Sequence, residues 1–440
     1  MKDDWIGRPT ERSLIGCRSD TLAGVREVII LGSTGSIGTQ ALEVIGDRPE
    51  QFRVTGLAAG GSNIPLLAQQ ILDHQPKVVA VGQAQAVQDL QLALYAEAKQ
   101  RGWATGDTTL PKILAGPDAA TRLAAEGADV VLNGITGSAG LGATLATLEA
   151  GTTLALANKE SLVIGGRLVT DKAADGQLVA VDSEHSAIAQ CLRAGRRDEV
   201  RRVIVTASGG PFRGWTREQM RTVTPEQAMQ HPTWNMGRVI TINSATLVNK
   251  ALEVLEAALL YDVDLADIEP VAHPQSIVHS MVEFVDGSTM AQCSPPDMKL
   301  PIALGLTWPD RVADAAYPID WRQAASWTFE PIDHQAFPAI ELIKRAGRLG
   351  GTAPAVFNAA NEACVDAFCA GRIGFLDIVD TIARVLDEHT GDGRADGATI
   401  SGEDVGSALV PPDRVTVADV LAADRWARGR ADRLTETPEE

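Results

Sequence analysis

The stretch VIILGSTGSIG, residues 28–38, decides the fold of the N-terminal half of the chain. Four consecutive apolar residues predict a buried strand, the glycines predict a tight turn, and a helical pattern follows. A glycine turn at this place lets the backbone approach a pyrophosphate at the helix N-terminus. The spacing is GxxGxxG rather than GxGxxG, so an ordinary strand-to-helix turn stays an alternative at this point.

Strands and helices alternate outward from this turn, from residue 25 to about 180. Continuous apolar strands separated by helices are typical of a parallel sheet covered on both faces. The predicted strands are REVIILG, FRVTGLAAG, KVVAVG, ADVVLNG, TTLALAN and QLVAVD.

The rest of the chain changes pattern. Further strands (RRVIVTAS, GRVITIN, SIVHSMVEF and TMAQCS) and a helix from Ser244 to about Leu260 predict an α+β region, and four helical stretches follow residue 334. The fold class is α/β, with a Rossmann-like parallel-sheet domain, an α+β catalytic domain and a C-terminal helical bundle domain. The predicted bounds are an N-terminal arm at 1–24, a nucleotide-binding domain at 25–181, a catalytic domain at 182–307, a connector at 308–333 and the helical domain at 334–440, which includes a surface insertion at about 390–412.

Composition narrows the class of function. The net charge of -18 gives no indication of a nucleic-acid or membrane partner. The five cysteines are scattered without a CxxC pair, which favours reduced thiols. The sequence shows no membrane span and no signal peptide, so we expect a soluble cytoplasmic enzyme.

The end of the second strand bears on the cofactor. An NAD site usually has Asp or Glu there to hold the ribose hydroxyls. This chain has Ala58 to Asn63 instead, without an acid, which leaves room for a 2′-phosphate and favours NADP over NAD.

Two carboxylates follow the last strand of the first domain. Asp182 and Glu184 are two residues apart, so an extended chain would direct both to one face, where they would suit Mg²⁺ or Mn²⁺. The alternative is a helix start, with Asp182 or Ser183 as N-cap and Glu184 in the first turn. Glu253 is a candidate third ligand, on a helical face shared with Asn249 and Lys250.

Other polar residues complete a candidate site. Lys159 follows a strand, where it could meet a substrate oxygen or begin a helix at the surface. Ser208, Ser244, Asn249 and Lys250 could hold a phosphate. Trp234, near His231, fits either a water-excluding lid or a packed loop. We interpret His273 and His279 as structural.

These motifs together resemble the 1-deoxy-D-xylulose 5-phosphate reductoisomerase family. The resemblance rests on LGSTGSIGTQ, LALANKESLV, VDSEHSAI, SGGPFRG, HPTWNMGRVITINSATLVNKALEVLEA, HPQSIVHSMVEF and NAANE, between residue 29 and about residue 375. It implies a V-shaped homodimer with NADPH, a divalent metal ion (Mg²⁺ or Mn²⁺, with Co²⁺ as a further candidate) and a small phosphorylated sugar as substrate. It also implies a mobile loop at about 208–238.

The resemblance assigns roles to residues of this chain. It implies metal ligation by Asp182, Glu184 and Glu253, and catalytic roles for Lys159, Glu184, His231 and Trp234. Substrate contacts are implied for Lys159, Ser183, Glu184, Ser208, His231, Ser244, Asn249, Lys250 and Glu253. NADPH contacts are implied for Thr34, Gly35, Ser36, Ile37, Asn158, Glu160 and Gly237, and we choose Gly60 and Asn63 for the 2′-phosphate, where this chain lacks the basic residue frequent in the family.

The implied reaction is the NADPH-dependent isomerisation and reduction of 1-deoxy-D-xylulose 5-phosphate to 2-C-methyl-D-erythritol 4-phosphate in the non-mevalonate isoprenoid pathway. Its rearrangement would proceed by retro-aldol cleavage and re-addition. Two other hypotheses stay open: an NADP-linked dehydrogenase of a phosphorylated or amino-acid-derived aldehyde, and a non-enzymatic nucleotide sensor. Neither alternative needs three carboxylates around a metal ion. Loss of activity with a chelator would therefore favour the reductoisomerase reaction over both.

Overall fold

A seven-stranded parallel sheet forms the N-terminal part of the molecule. The computed structural model describes residues 24–103, 110–234, 236–391 and 405–436. The strand order is β4-β3-β2-β1-β5-β6-β7, so the order reverses beside β1, where open parallel sheets bind ligands. The strands are β1 (Arg26–Leu31), β2 (Phe52–Ala59), β3 (Val78–Val81), β4 (Lys112–Ala115), β5 (Val130–Asn133), β6 (Thr153–Leu156) and β7 (Leu178–Ala180).

Helices cover both faces of this sheet, as the apolar strands predict. Val28 and Ile30 pack into one core cluster, whereas Ile29 and Leu31 pack into another, because successive side chains of a strand point to opposite faces. The sequence prediction missed the short strand β4. The helices are α1 (Ser36–Gly46), α2 (Ile64–His74), α3 (Ala86–Gln100), α4 (Ala119–Ala124), α5 (Leu141–Glu149), α6 (Lys159–Gly165) and α7 (Arg167–Thr170).

A five-stranded mixed sheet follows, in the order β11-β10-β8-β9-β12. Only the pairing of β8 with β9 is parallel. The strands are β8 (Val200–Ala207), β9 (Ile268–Ala272), β10 (Val278–Phe284), β11 (Thr289–Cys293) and β12 (Glu330–Pro331), and the helices are α8 (Ser183–Leu192), α9 (Pro225–Ala228), α10 (Arg238–Ala245), α11 (Val248–Tyr261) and α12 (Lys299–Thr307).

Two predictions in this region are wrong. GRVITIN is not a strand: it forms α10, because packing of Ile242 and Ala245 into the core overrides the β propensity of its branched residues. The helix predicted from Ser244 to about Leu260 is in fact two helices. Leu247 adopts a left-handed conformation (φ 59°) between them, so Ser244 belongs to α10 and α11 begins at Val248.

The C-terminal part is helical, as predicted. Its helices are α13 (Ala339–Leu349), α14 (Ala353–Cys369), α15 (Phe375–Thr390) and α16 (Val417–Thr435). Their buried side chains share one core cluster with α11 and β8, which includes Leu252, Val205 and Phe357. All but the last residue of the predicted N-terminal arm (1–24) and most of the predicted insertion (390–412) fall on residues 1–23 and 392–404, which lie outside the described residues. No helix among the described residues is both long and apolar enough to cross a membrane.

Candidate functional site

A cavity of about 290 Å³ lies where the carboxyl ends of β6, β7 and β8 face the starts of α1 and α11. Many of the predicted site residues line it. These are Ser36, Ile37, Lys159, Asp182, Ser183, Glu184, Ser208, His231, Trp234, Gly237, Ser244, Asn249, Lys250 and Glu253. The predicted residues Thr34, Gly35, Gly60, Asn63, Asn158 and Glu160 lie outside this lining.

The glycine turn is closely packed and presents a free helix start. A Cβ atom on Gly32 would lie 2.6 Å from the carbonyl oxygen of Gly134, so this position requires glycine. Gly35 is the N-cap of α1 and provides no side-chain cap, and the first turn of α1 contains no acidic residue. The first N–H groups of α1 are therefore free of a side-chain cap and suited to an anion.

The turn is held from the neighbouring strand and helix. The backbone amides of Gly32 and Ser33 donate to the carbonyl oxygen of Ala58, at the end of β2. Gln70 of α2 donates to the carbonyl oxygen of Ser33 over 2.8 Å. Asn63 caps α2 by accepting from the backbone amide of Leu66, and both Asn63 and Gly60 are exposed. The end of β2 therefore lies beside the turn without an acidic side chain.

The side chain of Asn158 forms hydrogen bonds within the protein. Its Oδ1 atom caps α6 by accepting from the backbone amide of Ser161 at 2.8 Å, and its Nδ2 atom donates to the carbonyl oxygens of Ile135 and Gly137. Nδ2 also lies 3.1 Å from the carboxylate of Glu160. The Asn158 side chain, which is 1% exposed, thus ties the start of α6 to the loop after β5.

Three carboxylates converge as the hypothesis requires. Three carboxylate oxygens, one from each of Asp182, Glu184 and Glu253, lie within 4.8 Å of one another. The local geometry differs from the extended chain considered in the sequence analysis. Asp182 is the N-cap of α8 and Glu184 lies in its first turn, so the helix start and the carboxylate pair occur together.

Two buried lysines compensate these carboxylates. The Nζ atom of Lys159 lies 2.5 Å from Asp182 and 3.1 Å from Glu253, and the Nζ atom of Lys250 contacts Glu184 at 2.7 Å and Glu253. Burial alone would lower the pKa of Lys159, but the carboxylates of Asp182, Glu253 and Glu256 raise it well above its ordinary value. Glu184 and Glu253 likewise raise the pKa of Lys250 against the effect of burial, so both lysines are cations at neutral pH.

The pKa values of Glu184 and Glu253 are shifted in opposite directions. Burial would raise the pKa of Glu184, but Lys250 and Lys159 hold it well below its ordinary value. Burial and the charge of Glu184 raise the pKa of Glu253 despite the same two lysines. The three carboxylates face only two ammonium groups, and a divalent cation would compensate the remaining negative charge. Three carboxylate oxygens within a few ångströms fit Mg²⁺ or Mn²⁺, which prefer hard oxygen ligands.

A hydroxyl and imidazole group forms the other end of the cavity. The Nε2 atom of His231 lies 3.1 Å from the hydroxyls of both Ser208 and Ser244. Its Nδ1 atom accepts from the backbone amides of Thr233 and Trp234 at 3.1 and 2.9 Å. Because Nδ1 is an acceptor, the network assigns the proton of neutral His231 to Nε2, and burial lowers the pKa of this imidazole. The cavity therefore offers a neutral N–H and two hydroxyls.

Asn249 and Lys250 lie at the acidic end of the cavity. The amide of Asn249 accepts from Lys159 at 2.9 Å and donates to Glu253 at 2.5 Å. Their sequence pattern predicted chiefly a phosphate contact. In the structure Lys250 neutralises Glu184 and Glu253, and the Asn249 amide orients Glu253.

Family models match three parts of this chain. Residues 28–166 match the model described as 1-deoxy-D-xylulose 5-phosphate reductoisomerase. Residues 178–261 match its C-terminal domain, and residues 293–430 match a model described as DXP reductoisomerase C-terminal domain. A protein of Cutibacterium acnes named 1-deoxy-D-xylulose 5-phosphate reductoisomerase is 65% identical over 410 residues, which is 92% of this chain and 98% of the relative.

The chain belongs to the 1-deoxy-D-xylulose 5-phosphate reductoisomerase family.

Other reductoisomerases agree in sequence and fold. A relative of the same name from Paenarthrobacter aurescens is 56% identical, over 93% of this chain and 98% of its own length. The solved Zymomonas mobilis reductoisomerase in complex with NADPH has a TM-score of 0.80 and 40% identity, and the match covers 94% of this chain and all of that one. A solved DOX-P reductoisomerase in complex with NADPH, fosmidomycin and magnesium has a TM-score of 0.79 and 34% identity, covering 93% and 98%.

Sequence reasoning missed some residues of this reductoisomerase site. His279 lines the cavity, with its ring 6.2 Å from that of Trp234, whereas His273 stacks on Phe329 outside it. Behind the carboxylates, His185 Nε2 lies 2.8 Å from Glu256, and both side chains are almost fully buried. The available signal for Glu256 was its position three residues after Glu253, which places the two carboxylates on neighbouring parts of one helix face.

Proposed function

We propose that this protein catalyses the NADPH- and divalent-metal-dependent isomerisation and reduction of 1-deoxy-D-xylulose 5-phosphate to 2-C-methyl-D-erythritol 4-phosphate, in the non-mevalonate isoprenoid pathway. The observation that carries the proposal is that one cavity brings together three converging carboxylates and a hydroxyl–imidazole group beside a dinucleotide-type glycine turn. One solved reductoisomerase is in complex with NADPH, and another is in complex with NADPH, fosmidomycin and magnesium, which supports the same cofactors here.

His231, Ser208 and Ser244 hold the phosphate of the substrate. The three polar groups lie side by side in the cavity, since His231 Nε2 lies 3.1 Å from each hydroxyl. The backbone amide of Gly210 donates to Ser208 Oγ, which fixes the orientation of this hydroxyl. Binding of the phosphate, remote from the reacting carbons, positions those carbons at the acidic end.

Asp182, Glu184 and Glu253 are the proposed metal ligands, and their arrangement around one point supports this role. When bound, the metal ion supplies Lewis-acid stabilisation of negative charge on substrate oxygens, and NADPH supplies the hydride. Ser183 donates to Glu184 at 2.6 Å and thereby holds this carboxylate in place.

Lys159 is the proposed electrostatic catalyst, and it also contacts the substrate backbone with Ser183 and Glu184. Its ammonium group is held among Asp182, Asn249 and Glu253, so a preorganised positive charge faces the reacting oxygens. Lys250 has the same relationship to Glu184 and Glu253. The two lysines keep the site close to neutral while it binds an anionic substrate.

NADPH would be held at the carboxyl edge of the first sheet. Thr34, Gly35, Ser36 and Ile37 would hold the pyrophosphate at the uncapped start of α1. Gly60 and Asn63 would receive the 2′-phosphate, while Asn158, Glu160 and Gly237 would contact the nicotinamide half. For Asn158 the contact is through the backbone, since its side chain is already bonded to Ile135, Gly137 and Ser161.

The segment at about 208–238 covers the bound substrate. Trp234 lines the cavity and is tied to His231 through the Nδ1 hydrogen bond. The segment can thus couple phosphate binding to exclusion of water, which protects the aldehyde intermediate before reduction.

The test is to follow NADPH absorbance with purified protein, 1-deoxy-D-xylulose 5-phosphate and Mg²⁺ or Mn²⁺. Oxidation of NADPH should require both the substrate and the cation, should stop with EDTA, and should yield 2-C-methyl-D-erythritol 4-phosphate by mass and NMR. NADPH binding without oxidation under these conditions would favour the nucleotide sensor. Turnover of another aldehyde with EDTA present would favour the metal-independent dehydrogenase.

Homodimer formation and cytoplasmic location are also proposals, together with the division of the chain at residues 25, 182, 308 and 334. The edge strand β11, with Met290 exposed, supports pairing with a second copy. The free cysteines 191, 293, 364 and 369 support a reducing compartment. Light scattering of purified protein and cell fractionation test these two proposals separately.

A further inference from the structure

An arginine near the C-terminus reaches the nucleotide-binding part of the chain. The Nη2 atom of Arg428, on α16, lies 2.6 Å from the carboxylate of Glu362 on α14. The same atom lies 3.3 Å from the hydroxyl of Ser138, in the loop after β5. Asp424, one turn earlier on α16, accepts from the same guanidinium at 2.8 Å. The guanidinium thus joins two C-terminal helices to a loop of the first sheet.

Glu362 packs directly on the backbone of that loop. Gly137 has φ 74°, and a Cβ atom added to it would lie 3.0 Å from Glu362 Oε1 and 3.3 Å from Oε2. Asn358, one turn earlier on α14, donates to Oε1 at 2.9 Å. The carboxylate is therefore fixed from three sides by Asn358, Arg428 and the Gly137 backbone.

The loop transmits this contact to both parts of the cofactor site. The carbonyl oxygen of Gly137 accepts from Asn158 at 3.0 Å, and Asn158 caps α6, which begins at Lys159. At the other end of the loop, Gly134 packs against Gly32 and Ile37 of the glycine turn. A direct chain of contacts therefore leads from α14 and α16 to the two surfaces between which the dinucleotide would lie.

We propose that Arg428 and Glu362 are positioning residues for NADPH, which fix the loop 134–140 and the start of α6 against the glycine turn. The proposal rests on the proposed NADPH-dependent function, since it concerns the affinity of the same site. It couples the C-terminal helices to cofactor binding, although neither residue lines the substrate cavity.

Burial and charge explain why removal of either member of the Arg428–Glu362 pair should disturb the contact with the loop. The side chains of Arg428, Glu362 and Asp424 are 32%, 20% and 8% exposed. Burial would lower the pKa of Arg428, but hydrogen bonds and charges from Asp424 and Glu362 raise it above its ordinary value. Without the guanidinium, the carboxylates of Asp424 and Glu362 would lose their shared cation, and Glu362 would lose one of the contacts that hold it against Gly137.

The chain offers a matched control on the same helix. Arg430 forms the same type of pair with Glu388 of α15, at 2.5 and 2.9 Å, and its side chain is 26% exposed. Removal of its charge changes the net charge and the helix in the same way. Its partner lies on α15 rather than at the cofactor loop.

The experiment compares Arg428→Gln, Glu362→Gln and Arg430→Gln with the parent protein, by NADPH fluorescence titration and steady-state kinetics. We expect the Kd and KM for NADPH to rise at least about fivefold in the first two variants, the lower end for coupled sites. The KM for 1-deoxy-D-xylulose 5-phosphate at saturating NADPH should change less than about twofold. Arg430→Gln should leave both constants unchanged. The double variant Arg428→Gln/Glu362→Gln should lose less NADPH-binding free energy than the sum of the two single variants, because both substitutions remove the same contact.

An unchanged Kd for NADPH in Arg428→Gln, or an equal rise in Arg430→Gln, would overturn the inference. If the parent protein neither binds nor oxidises NADPH, the proposed function fails instead, so the two failures are distinguishable. If Arg428→Gln does not fold, hydrogen exchange of the parent protein decides. NADPH should slow exchange in 358–362 and 424–430 but not in 382–388 of α15, and equal or absent protection would reject the coupling.

Discussion

Lys159 and Asp182 form an ion pair with 2.5 Å between Nζ and Oδ2, at the adjoining carboxyl ends of β6 and β7. The same ammonium lies 3.1 Å from Glu253 on α11. A lysine from one strand end thereby sets the separation of two proposed metal ligands from distant parts of the chain. The acidic cluster therefore contains its own positive charge.

Replacement of Glu253 tests whether the carboxylates bind metal separately from NADPH. Glu253→Gln keeps the size of the side chain but removes one of three ligand charges. We expect kcat/KM to fall at least about 100-fold, equivalent to ~3 kcal/mol of transition-state stabilisation. The Kd for Mn²⁺, measured by titration calorimetry, should rise, while the Kd for NADPH changes less than about twofold. Parallel loss of NADPH binding would contradict a separate metal site.

The three carboxylates lie together as the sequence suggested, but the local geometry differs from the extended chain that the spacing of Asp182 and Glu184 assumed, and metal ligation stays a prediction. Asp182 and Glu184 converge because α8 begins between them, not because the chain stays extended. The positions of Lys159 and Lys250 depend on packing between α6, α8 and α11, which no local pattern contains. The same limit explains why the buried pair of His185 and Glu256 was not predicted.

The fold shows where local patterns succeed and fail. Alternating strands and helices predicted the parallel sheet, since each strand of that type must be apolar on both faces. GRVITIN has the same branched residues, yet it forms α10, because its surroundings bury Ile242 and Ala245 as a helix. The break at Leu247 was also hidden, because a non-glycine residue with φ 59° has no sequence signature.

His231 tests the phosphate end of the cavity. In His231→Asn, the amide oxygen can replace Nδ1 as acceptor for the Thr233 and Trp234 amides, but the Nε2 donor is lost. We expect the KM for 1-deoxy-D-xylulose 5-phosphate to rise roughly tenfold or more, as for loss of a hydrogen bond to a charged group. Inhibition by inorganic phosphate should weaken in parallel, and the KM for NADPH should stay the same. A change confined to kcat would instead assign His231 to the chemical step.

Trp234 distinguishes a covering residue from a packed loop residue. In Trp234→Ala we expect kcat/KM for the sugar phosphate to fall roughly 10- to 100-fold through poorer positioning. The free energy of unfolding should fall by less than ~1 kcal/mol, since the indole is only partly buried. Trp215→Ala is the control, because Trp215 belongs to the same segment but packs on Phe212 outside the cavity. Loss of stability without loss of activity at saturating substrate would favour the packed loop.

Asn63 tests the position of the 2′-phosphate. Asn63→Asp retains an N-cap for α2, since Asp caps helices as well as Asn. Its charge would repel a 2′-phosphate and could accept from ribose hydroxyls. We expect the preference for NADPH over NADH, as a ratio of kcat/KM values, to fall at least about tenfold, or ~1.4 kcal/mol. Asn63→Ser keeps the cap without the charge and should retain most of the preference. An unchanged ratio in Asn63→Asp would place the 2′-phosphate elsewhere.

Glu160 predicts a pH dependence of stability. Burial raises its pKa to about 7, an effect that Glu362 and Glu256 increase and Lys159 opposes. The folded state therefore binds a proton more tightly than the unfolded state between the ordinary value of 4.5 and about 7. Through this group, stability is lost as the pH rises through that window, because the carboxylate must then ionise in its half-buried position.

Glu160→Gln removes the titration while the amide oxygen can still accept from Asn158. We expect the variant without NADPH to be more stable than the parent protein at pH 8, by ~1–2 kcal/mol, since partial exposure screens the charge. The advantage should shrink toward zero near pH 5, where Glu160 is protonated in the folded parent protein. Urea unfolding at both pH values measures it, and Glu269→Gln, at an exposed position on β9, is the control. An equal difference at pH 5 and pH 8 would show that the effect comes from packing rather than from ionisation of Glu160.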